Sequence, residues 1–415
     1  MINGHKLRVV IVGSGLAGLT AARILREHHD VTVYERGSEE VATGGQGIMI
    51  APNGVKILDR IGYDHGRAAA VPIYGIRTYK NGNVLEDVGM NLKSWFGADS
   101  LAQKRSDFRD ELMRLATAPS SELGILGDPA KIVFDTAATG LNPDEGIVTL
   151  SDGSTIIADV VVAADGIHSR LRNIVVGSED YFAKKTGLTC YRVAVATEDA
   201  KKELGDLPPP HWWEPNTYQN RSSVIYASDD SPRFITAYPI RNGSYFNLSC
   251  ILKTQESSTS TTESWNANGD HAKLIELFGD FSESIRRILS AAKEVKVWEL
   301  QDLELLPTWT RGRTMLIGDA AHAMTPMQGQ GANLSIEDAE SLRLLAPGTR
   351  REEVEDILKL AESIRRPRTA HILAETRKSH ANMKVAERLT KNLDFNCGYD
   401  GIYAALEARD GVLGS

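Results

Sequence analysis

The sequence has little of what marks several protein classes. It holds three cysteines in 415 residues (Cys190, Cys250 and Cys397), without a C-x-x-C pair or a metal-like spacing. No apolar run approaches the roughly 20 residues that a membrane-spanning helix needs. The net charge of −8 at pH 7 argues against nucleic acid or an anionic membrane surface as the main partner. We therefore expect no metal site, no membrane anchor and no bound nucleic acid.

The first residues also lack the basic and apolar regions of a secretory leader. Together with the scattered cysteines, this predicts buried, reduced thiols and a cytoplasmic location. Hydrophobic residues at 42% and charged residues at 25% are ordinary for a globular enzyme. The length exceeds that of one compact core, so we expect two domains or one domain with insertions. We also expect a monomer or a homodimer, with a small molecule as its main partner.

A glycine-rich turn near the start of the chain lies between a strand-like and a helix-like segment. The run LRVVIV is typical of a buried parallel strand, and LTAARILREHH has helical spacing of its apolar residues. In GSGLAG between them, Gly13 permits the tight turn, Gly15 lets the backbone approach a pyrophosphate, and Gly18 packs the helix on the strand. The next strand ends at Glu35, whose carboxylate suits the hydroxyls of an adenosine ribose. This unit predicts a dinucleotide site that disfavours a 2′-phosphate, and it leaves FAD and NAD open.

A second glycine-rich loop, GDAAHAMTPMQGQGAN, occupies residues 318–333. Asp319 follows a short strand, where its carboxylate can hold a polyol, and the loop ends at a helix N-terminus, which favours anionic charge. The dipeptide Asp165-Gly166 follows another buried strand and predicts a further contact with the nucleotide. An extended cofactor such as FAD needs distant loops because its two ends are held separately, whereas an NAD dehydrogenase has no such need. The pattern favours FAD.

The middle of the chain changes to an antiparallel pattern. Residues 186–254 contain the alternating runs TCYRVAVAT, SSVIYA, RFITAYPI and SYFNLSCILK, separated by turn residues. A hairpin is predicted to turn at Asn81-Gly82. A glycine-rich loop and an amphipathic helix are predicted over residues 44–62, and a helix over residues 101–116 with Arg105 near its start. We expect an FAD-binding domain over residues 1–72, 100–185 and 295–345, a substrate-binding sheet domain over 73–99 and 186–294, and a helical region over 346–415.

The C-terminal region holds the basic run IRRPRTAHIL. We expect a long helical stretch from residue 352 to about 392 that breaks at Pro367. In an acidic protein, Arg365, Arg366 and Arg368 favour a solvated or acid-paired helix face over a nucleic-acid site.

Taken together, these motifs stand in the order and separation of one family. The chain resembles the single-component FAD-dependent aromatic hydroxylases, the class A flavoprotein monooxygenases similar to p-hydroxybenzoate and salicylate hydroxylase. The resemblance rests on GSGLAG with Glu35, on ADGIHSRLR and on GDAAHAMTPMQGQGANLSIEDA, and KRSDFRDEL, GGQGIMIAPNG and FNCGYDGIYAA extend it over nearly the whole chain. It implies an α/β fold with a Rossmann-like FAD-binding domain of the glutathione-reductase type, an inserted antiparallel-sheet substrate domain and C-terminal helices.

The resemblance also implies roles for single residues. Asp319 would bind ribityl hydroxyls, and Arg105 would reach the pyrophosphate or the ribityl chain. The helix that begins near Gly331 would lie beside the flavin N1–C2=O side, where its dipole stabilises the anion of the reduced flavin. The implied cofactor-binding set is Gly13, Gly15, Gly18, Glu35, Arg36, Gly47, Arg105, Asp165, Gly166, Asp319, Gly329, Gly331, Ala332 and Asn333.

The implied chemistry is hydride transfer from NADPH or NADH to FAD, reaction with O₂ to a C4a-hydroperoxide, and hydroxylation or epoxidation of an electron-rich aromatic or related molecule. The site must exclude water so that the hydroperoxide survives. Pro326 would lie near the flavin C4a edge. Arg192, in a Tyr-Arg pair similar to that of salicylate hydroxylase-like members, would face the flavin, unless it pairs with an acid on the sheet surface. These two are the candidate catalytic residues, and Tyr226, Tyr238 and Phe246 are candidates for lining the substrate pocket.

No histidine stands out as the base that would deprotonate a phenol. His322, within GDAAH, is interpreted as part of the loop structure, and His168, His211 and His271 have no evident partner. This leaves room for a substrate that is already electron-rich, such as an indole or an enol. Two other functions stay open, an FAD-dependent reductase or oxidase without oxygen insertion and a flavin-binding module without turnover.

Overall fold

The structure is a computed structural model, and it describes residues 5–40, 46–213, 220–254, 269–378, 387 and 390–413. The strands are β1 (Arg8–Val12), β2 (Asp30–Tyr34), β3 (Gly47–Ile50), β4 (Val71–Ile73), β5 (Gly75–Lys80), β6 (Asn83–Gly89), β7 (Ser100–Lys104), β8 (Lys131–Val133), β9 (Ala138–Asn142), β10 (Ile147–Leu150), β11 (Thr155–Ile157), β12 (Val160–Ala163), β13 (Lys184–Ala196), β14 (Ser222–Tyr226), β15 (Phe234–Ile240), β16 (Tyr245–Lys253), β17 (Val295–Asp302), β18 (Thr310–Arg311) and β19 (Thr314–Leu316).

The α-helices follow the same chain order. They are α1 (Leu16–Leu25), α2 (Pro52–Arg60), α3 (Leu92–Phe96), α4 (Arg105–Thr117), α5 (Ser120–Leu123), α6 (Leu171–Val176), α7 (Thr197–Leu204), α8 (His271–Leu277), α9 (Glu283–Ser290), α10 (Asp319–His322), α11 (Gly331–Ser341), α12 (Val354–Lys378), α13 (Leu393–Cys397) and α14 (Ile402–Leu413). Short 3₁₀ helices cover His211–Trp213, Arg241–Gly243, Pro326–Gln328, Leu342–Leu344 and Arg351–Glu353. No helix within the described ranges is long and apolar enough to cross a membrane.

A mostly parallel sheet lies at the centre of one half of the molecule, and its strand order is β18-β19-β12-β1-β2-β8. The strands β1, β2, β8, β12 and β19 pair in parallel, and β18 runs antiparallel to β19. Every residue of β12 is buried, because a parallel sheet covered on both faces has no polar side. Helix α1 packs on β1 and β2 of this sheet, and α11 packs against α1. This sheet and its helices are the α/β unit that the glycine motifs predicted.

A seven-stranded sheet forms the second half, in the order β17-β13-β16-β15-β14-β5-β6. Its strands pair antiparallel except for β14 and β5, which run parallel. The predicted hairpin is confirmed, since Asn81 and Gly82 join β5 to β6 with φ of 52° and 75°. The sheet includes β17, so it continues to Asp302 and the expected boundary at residue 294 is wrong.

The structure also differs from three local predictions, two for helices and one for a loop. Residues 100–104 form strand β7, which pairs with β3 and β4, and α4 therefore begins at Arg105 itself. Residues 47–50, expected in a loop, form β3. Helix α12 continues through Pro367 instead of breaking there. Arginines on both sides of this proline bind buried acids, and we attribute the continuity of the helix to these tertiary contacts.

The two faces of the seven-stranded sheet have different environments, because side chains alternate along each strand. Tyr191 and Val193 pack against helices α7 to α9, whereas Arg192 points to the other side, as the alternation predicted. Phe246 lies on the helix-covered face and stacks on Trp213 with ring centroids 4.1 Å apart. The expectation that Phe246 lines the substrate pocket is therefore wrong, because its strand register places the ring in the core.

This correction predicts unequal effects of two phenylalanine truncations. Phe246→Ala should lower the free energy of unfolding by about 3–5 kcal/mol, because the ring is 1% exposed and its loss leaves a cavity. The control Phe234→Ala, at a half-buried ring on the opposite face, should cost clearly less. Urea denaturation followed by tryptophan fluorescence measures both. Equal losses would contradict the assignment of the two faces.

Candidate active site

A cavity of about 1170 Å³ lies between the two halves of the molecule. One wall is the carboxyl edge of the parallel sheet, where Gly13, Glu35, Asp165 and Asp319 stand just beyond the ends of β1, β2, β12 and β19. Ligands of open α/β sheets bind at this edge. The other wall is the face of the seven-stranded sheet that carries Arg192. The volume exceeds the roughly 300–1,000 Å³ of a pocket for one drug-sized ligand, so it has room for a long cofactor and a second molecule.

The first glycine loop shows which of its glycines faces the cavity. Gly13 has φ of +103°, and a Cβ there would lie 2.4 Å from the carbonyl oxygen of Ala164. A Cβ on Gly18 would lie 2.0 Å from the carbonyl oxygen of Gly13, so this glycine packs helix on strand and does not line the cavity. Gly15 lines the cavity and has open space at its Cβ position. No side chain in the described part of the chain caps α1, so its N-terminal N–H groups suit an anion.

Glu35 is held beside the same loop by two backbone N–H groups and one hydroxyl. Its Oε2 accepts hydrogen bonds from the Ser14 backbone N–H (2.7 Å) and hydroxyl (2.8 Å), and its Oε1 accepts from the Gly37 N–H (2.8 Å). Arg36 lines the cavity beside it. These contacts orient the carboxylate toward the region where α1 begins.

The loop after β12 is tied to the loop after β19 by a buried arginine. Arg172 donates to the carbonyl oxygens of Ile167 (2.9 Å), Asp319 (3.0 Å) and Ala320 (2.7 Å). Asp165 accepts from the Ser169 hydroxyl and from two backbone N–H groups at the start of α6, while it and Gly166 line the cavity. Sequence reasoning missed Arg172, although it stands within the motif ADGIHSRLR, because spacing does not show where its guanidinium reaches.

The loop before α11 supplies the floor of the cavity. Its lining residues include Asp319, Pro326, Gly329, Gly331 and Ala332. Helix α11 begins beside the cavity at Gly331, and no described side chain caps its N-terminal N–H groups.

Two of the expected cofactor residues support the walls from outside the cavity. Asn333 is buried behind the loop, where Oδ1 accepts from the Ala51 N–H (2.9 Å) and Nδ2 donates to the Gly329 carbonyl (2.8 Å). Gly47 donates to Asn247 Oδ1 (2.7 Å), and a Cβ there would lie 2.6 Å from Asn247 Cβ. Neither lines the cavity: the Asn333 side chain positions the loop, and the backbone of Gly47 packs against the seven-stranded sheet.

The sheet wall presents a cation beside aromatic rings. Arg192 Nη2 donates to the Gly47 carbonyl (2.5 Å), its guanidinium lies 5.4 Å from the Trp298 ring centroid, and its Nε has no partner among the described residues. Burial raises the pKa of Tyr238, an effect that neighbouring Arg192 opposes. Tyr226 also lines this wall. The alternative of an acid-paired surface arginine does not hold within the described chain, where Arg192 forms no ion pair and faces the cavity.

Arg105 approaches the same space from the start of α4. It is half-buried, lines the cavity and forms no ion pair with a residue that the structure describes. Burial lowers the pKa of its guanidinium, the charge of Arg192 lowers it further, and Asp319 opposes both effects. Two guanidiniums that form no ion pair with a described residue can bind anionic groups, such as a phosphate and an ionised substrate. No group of three or more His, Cys, Asp or Glu side chains in the described part of the chain is arranged to hold a metal.

A buried ion network fixes the floor of the cavity from behind. We define it as His322, Glu337, Asp338, Arg365 and Arg368. Asp338 accepts from the Gly318 N–H (3.0 Å), His322 Nε2 (2.5 Å) and Arg365 Nε (3.1 Å).

The second carboxylate of the network, Glu337, joins the C-terminal arginines. It accepts from Arg365, from Arg368 Nε (2.8 Å) and from Asn53 Nδ2 (2.6 Å). The expected acid-paired face is thus confirmed for Arg365 and Arg368, although Arg365 is buried and the Arg368 side chain is only 12% exposed. The contact of His322 with Asp338 agrees with its interpretation as loop structure.

The network predicts a pH-dependent loss of stability. Burial raises the pKa of the Asp338 carboxyl, but the charges of His322 and Arg365 outweigh it and hold the pKa below its ordinary value of 3.8. Its ionised form therefore stabilises the fold above that value, and this stabilisation is lost as the pH falls through the lowered pKa. Asp338→Asn should lower the free energy of unfolding by about 3–5 kcal/mol at pH 7 and by less toward pH 3. Urea titrations across this range measure the difference.

The matched control is Asp400→Asn. Asp400 is 61% exposed and pairs with Lys56, so its loss should cost about 0.5 kcal/mol or less. A gap between wild type and Asp338→Asn that stays constant down to pH 3 would rule out the charge-based role.

Comparisons with known proteins agree with this geometry. The family model described as an FAD binding domain matches residues 6–376. Hispidin-3-hydroxylase of Neonothopanus nambi is 30% identical over 381 residues, which cover 90% of this chain and 88% of that protein. The 6-hydroxynicotinate 3-monooxygenase of Bordetella bronchiseptica is 30% identical over 410 residues, covering 96% of each chain.

A solved structure of 2-methyl-3-hydroxypyridine-5-carboxylic acid oxygenase superposes with a TM-score of 0.72 at 25% identity, over 96% of this chain and 97% of that one. The resemblance found in the motifs is confirmed by these matches. This chain belongs to the FAD-binding-domain family of flavoproteins, and it is an FAD-dependent monooxygenase of class A.

Proposed function

We propose that this monooxygenase uses NADH or NADPH and O₂ to hydroxylate an electron-rich aromatic or heteroaromatic ring. One oxygen atom enters the product, the other leaves as water, and the nicotinamide supplies the two electrons. The observation that carries this proposal is the guanidinium of Arg192, which forms no ion pair with a described residue and lies on a largely apolar wall opposite the nucleotide loops. The relatives support it, since they are named for oxygenating hispidin and 6-hydroxynicotinate.

The residues present fit FAD. The uncapped start of α1 beside the open Gly15 suits the pyrophosphate, and the fixed carboxylate of Glu35 suits the adenosine ribose. Asp319 and Arg105 would hold the ribityl chain, and the uncapped start of α11 would face the flavin ring. When bound, FAD supplies hydride acceptance from the nicotinamide and activation of O₂.

The chain's own part in the reaction is to bind the substrate as an anion and to keep water out. A cation beside a phenol favours the ionised form, so Arg192 would promote loss of the phenolic proton without a dedicated base. Within the described chain, the cavity-lining histidine is His168, which is exposed at the rim near Asp165. The apolar lining around Arg192 lowers the local dielectric and strengthens its hold on an anionic ring.

We also propose that the parallel-sheet segments form the FAD-binding domain and that the seven-stranded sheet forms the substrate-binding domain. The support is the division of the cavity walls between the two. A cytoplasmic, reducing environment is supported by three free, buried cysteines. The assembly we propose is a monomer or a homodimer.

The cofactor assignment predicts opposite outcomes for two glycines of one motif. Gly15→Val should leave the apoprotein as stable as wild type and abolish FAD retention, because φ is −71° and the added side chain points into open cavity space. Gly18→Ala should impair folding, because its Cβ meets a backbone oxygen at 2.0 Å. Flavin absorbance per protein and urea denaturation measure the two properties. Normal FAD content in folded Gly15→Val would move the pyrophosphate elsewhere.

The reaction is tested with FAD-loaded protein, NADH or NADPH, ¹⁸O₂ and a panel of phenols, aromatic acids and indoles. Substrate-accelerated nicotinamide oxidation should give a product with one ¹⁸O atom. Arg192→Gln should keep its FAD but lose roughly 10- to 100-fold in kcat/KM, the worth of a hydrogen bond to a charged group. Arg287→Gln serves as the matched control, because Arg287 lies in helix α9 on the side of the sheet away from the cavity. Products without ¹⁸O across the panel would favour the reductase or oxidase.

A further inference from the structure

The cavity wall formed by the seven-stranded sheet carries a continuous row of uncharged side chains. Strand pairing places Trp298 opposite Cys190, Cys190 opposite Ile251, Ile251 opposite Phe234, and Phe234 opposite Tyr226. All five line the cavity. We call this row the apolar band. Because directly paired residues point to the same face, the band is one surface that crosses five neighbouring strands.

The length of the band follows from strand geometry. Neighbouring strands lie about 4.8 Å apart, so the band is roughly 19 Å long. Arg192 is on β13, one of its middle strands, and two residues from Cys190. Phe234 and Tyr226 lie two and three strands away from β13, at roughly 10 and 14 Å. A single-ring molecule held at Arg192 would leave both of these aromatic residues uncovered.

The band contains none of the residues that are assigned to FAD. Each loop assigned to FAD stands at the carboxyl edge of the parallel sheet, whereas the band lies on the opposite sheet. At one end the band packs with Leu300 and Met327. At the other end Phe234 and Tyr226 are half-buried, with ring centroids 6.3 Å apart. An apolar surface that is partly open to a cavity gains free energy when an apolar ligand covers it.

The chemistry beside the band differs from that of the band itself. The next row on the same face runs Arg192, Ser249, Thr236 and Val224 through paired positions, so it offers one cation and two hydroxyls. A ligand on this wall therefore meets a charged anchor at β13 and an uncharged, partly aromatic surface leading away from it.

We propose that the substrate is an elongated molecule, with a hydroxylated aromatic ring at Arg192 and an uncharged, apolar extension that lies along the band over Ile251, Phe234 and Tyr226. This rests on the proposed function and adds the substrate class to it. A small, one-ring aromatic acid uses the anchor but not the band, and it binds more weakly than the same ring with a long substituent.

The test uses FAD-loaded enzyme and a series of 4-alkylphenols from methyl to hexyl. Dissociation constants are measured from the change in flavin absorbance, without NAD(P)H, so that binding is separated from turnover. The affinity should rise about fourfold with each added methylene, as expected for burial of a CH₂ group. Phe234→Ala and Tyr226→Ala should flatten this rise for the longer members and change the dissociation constant of the methyl member by about twofold or less.

Two further variants separate the anchor from the band. Arg192→Gln should weaken every member of the series by a similar factor and keep the slope. Ile235→Val is the control on β15, the strand of Phe234, at a side chain that points to the helix-covered face. It should leave both the affinities and the slope unchanged. Each variant must retain bound flavin, which the same absorbance measurement reports.

The outcomes distinguish this inference from the proposed function. Affinities that do not rise with chain length, or that rise equally in wild type, Phe234→Ala and Tyr226→Ala, overturn the elongated substrate, even where short phenols give an ¹⁸O-labelled product. A rise that the two band variants flatten supports it. A rise without ¹⁸O in any product supports the band as a binding surface and overturns the monooxygenase assignment for these ligands.

Discussion

The cavity depends on two adjacent buried carboxylates at the centre of α11. Asp338 holds the Gly318 backbone and His322, and Glu337 holds Asn53 of α2, while Arg365 of α12 binds both. Two acids without solvent repel each other strongly, so each is stable only while its cationic partners are in place. The loop after β19, helix α2 and helix α12 are thus held in one arrangement, and the position of Asp319 at the cavity follows from it.

The second constraint is the alternation of side chains on the seven-stranded sheet. One face is a hydrophobic core under helices α7 to α9, and the other is a cavity wall. A shift of one residue in strand register would exchange these faces and bury Arg192 without a partner. The stacked pair of Phe246 and Trp213 in the core therefore contributes to function indirectly, since it favours the register that turns Arg192 toward the cavity.

Local patterns were enough to predict much of the fold and part of the site. The glycine motif, the Asn81-Gly82 hairpin and the alternating strands each depend on neighbours in sequence, and the structure contains them. The failures involve contacts between distant segments. Pro367 stays helical between Arg365 and Arg368, which bind acids 27 to 31 positions away. Phe246 lies on the helix-covered face and not on the predicted cavity face, because residue type alone does not set strand register. The role of Arg172 is not visible in the sequence, because the four carbonyl groups to which it donates lie on two loops.

The proposed hydroxylation places opposing demands on the cavity, and one wall, the face of the seven-stranded sheet, carries groups suited to both. A reactive oxygen species must be kept from water, which calls for an apolar lining, yet an ionised ring needs a charge to hold it. In the proposed reaction Arg192 would meet the second demand, since its Nε has no partner among the residues that the structure describes and its Nη2 is fixed by the Gly47 carbonyl. A carboxylate beside it would neutralise that charge and compete with the substrate. The uncharged surface around Arg192 would keep its field unscreened, so the same side chains that would exclude water would also strengthen the proposed interaction between Arg192 and the ring.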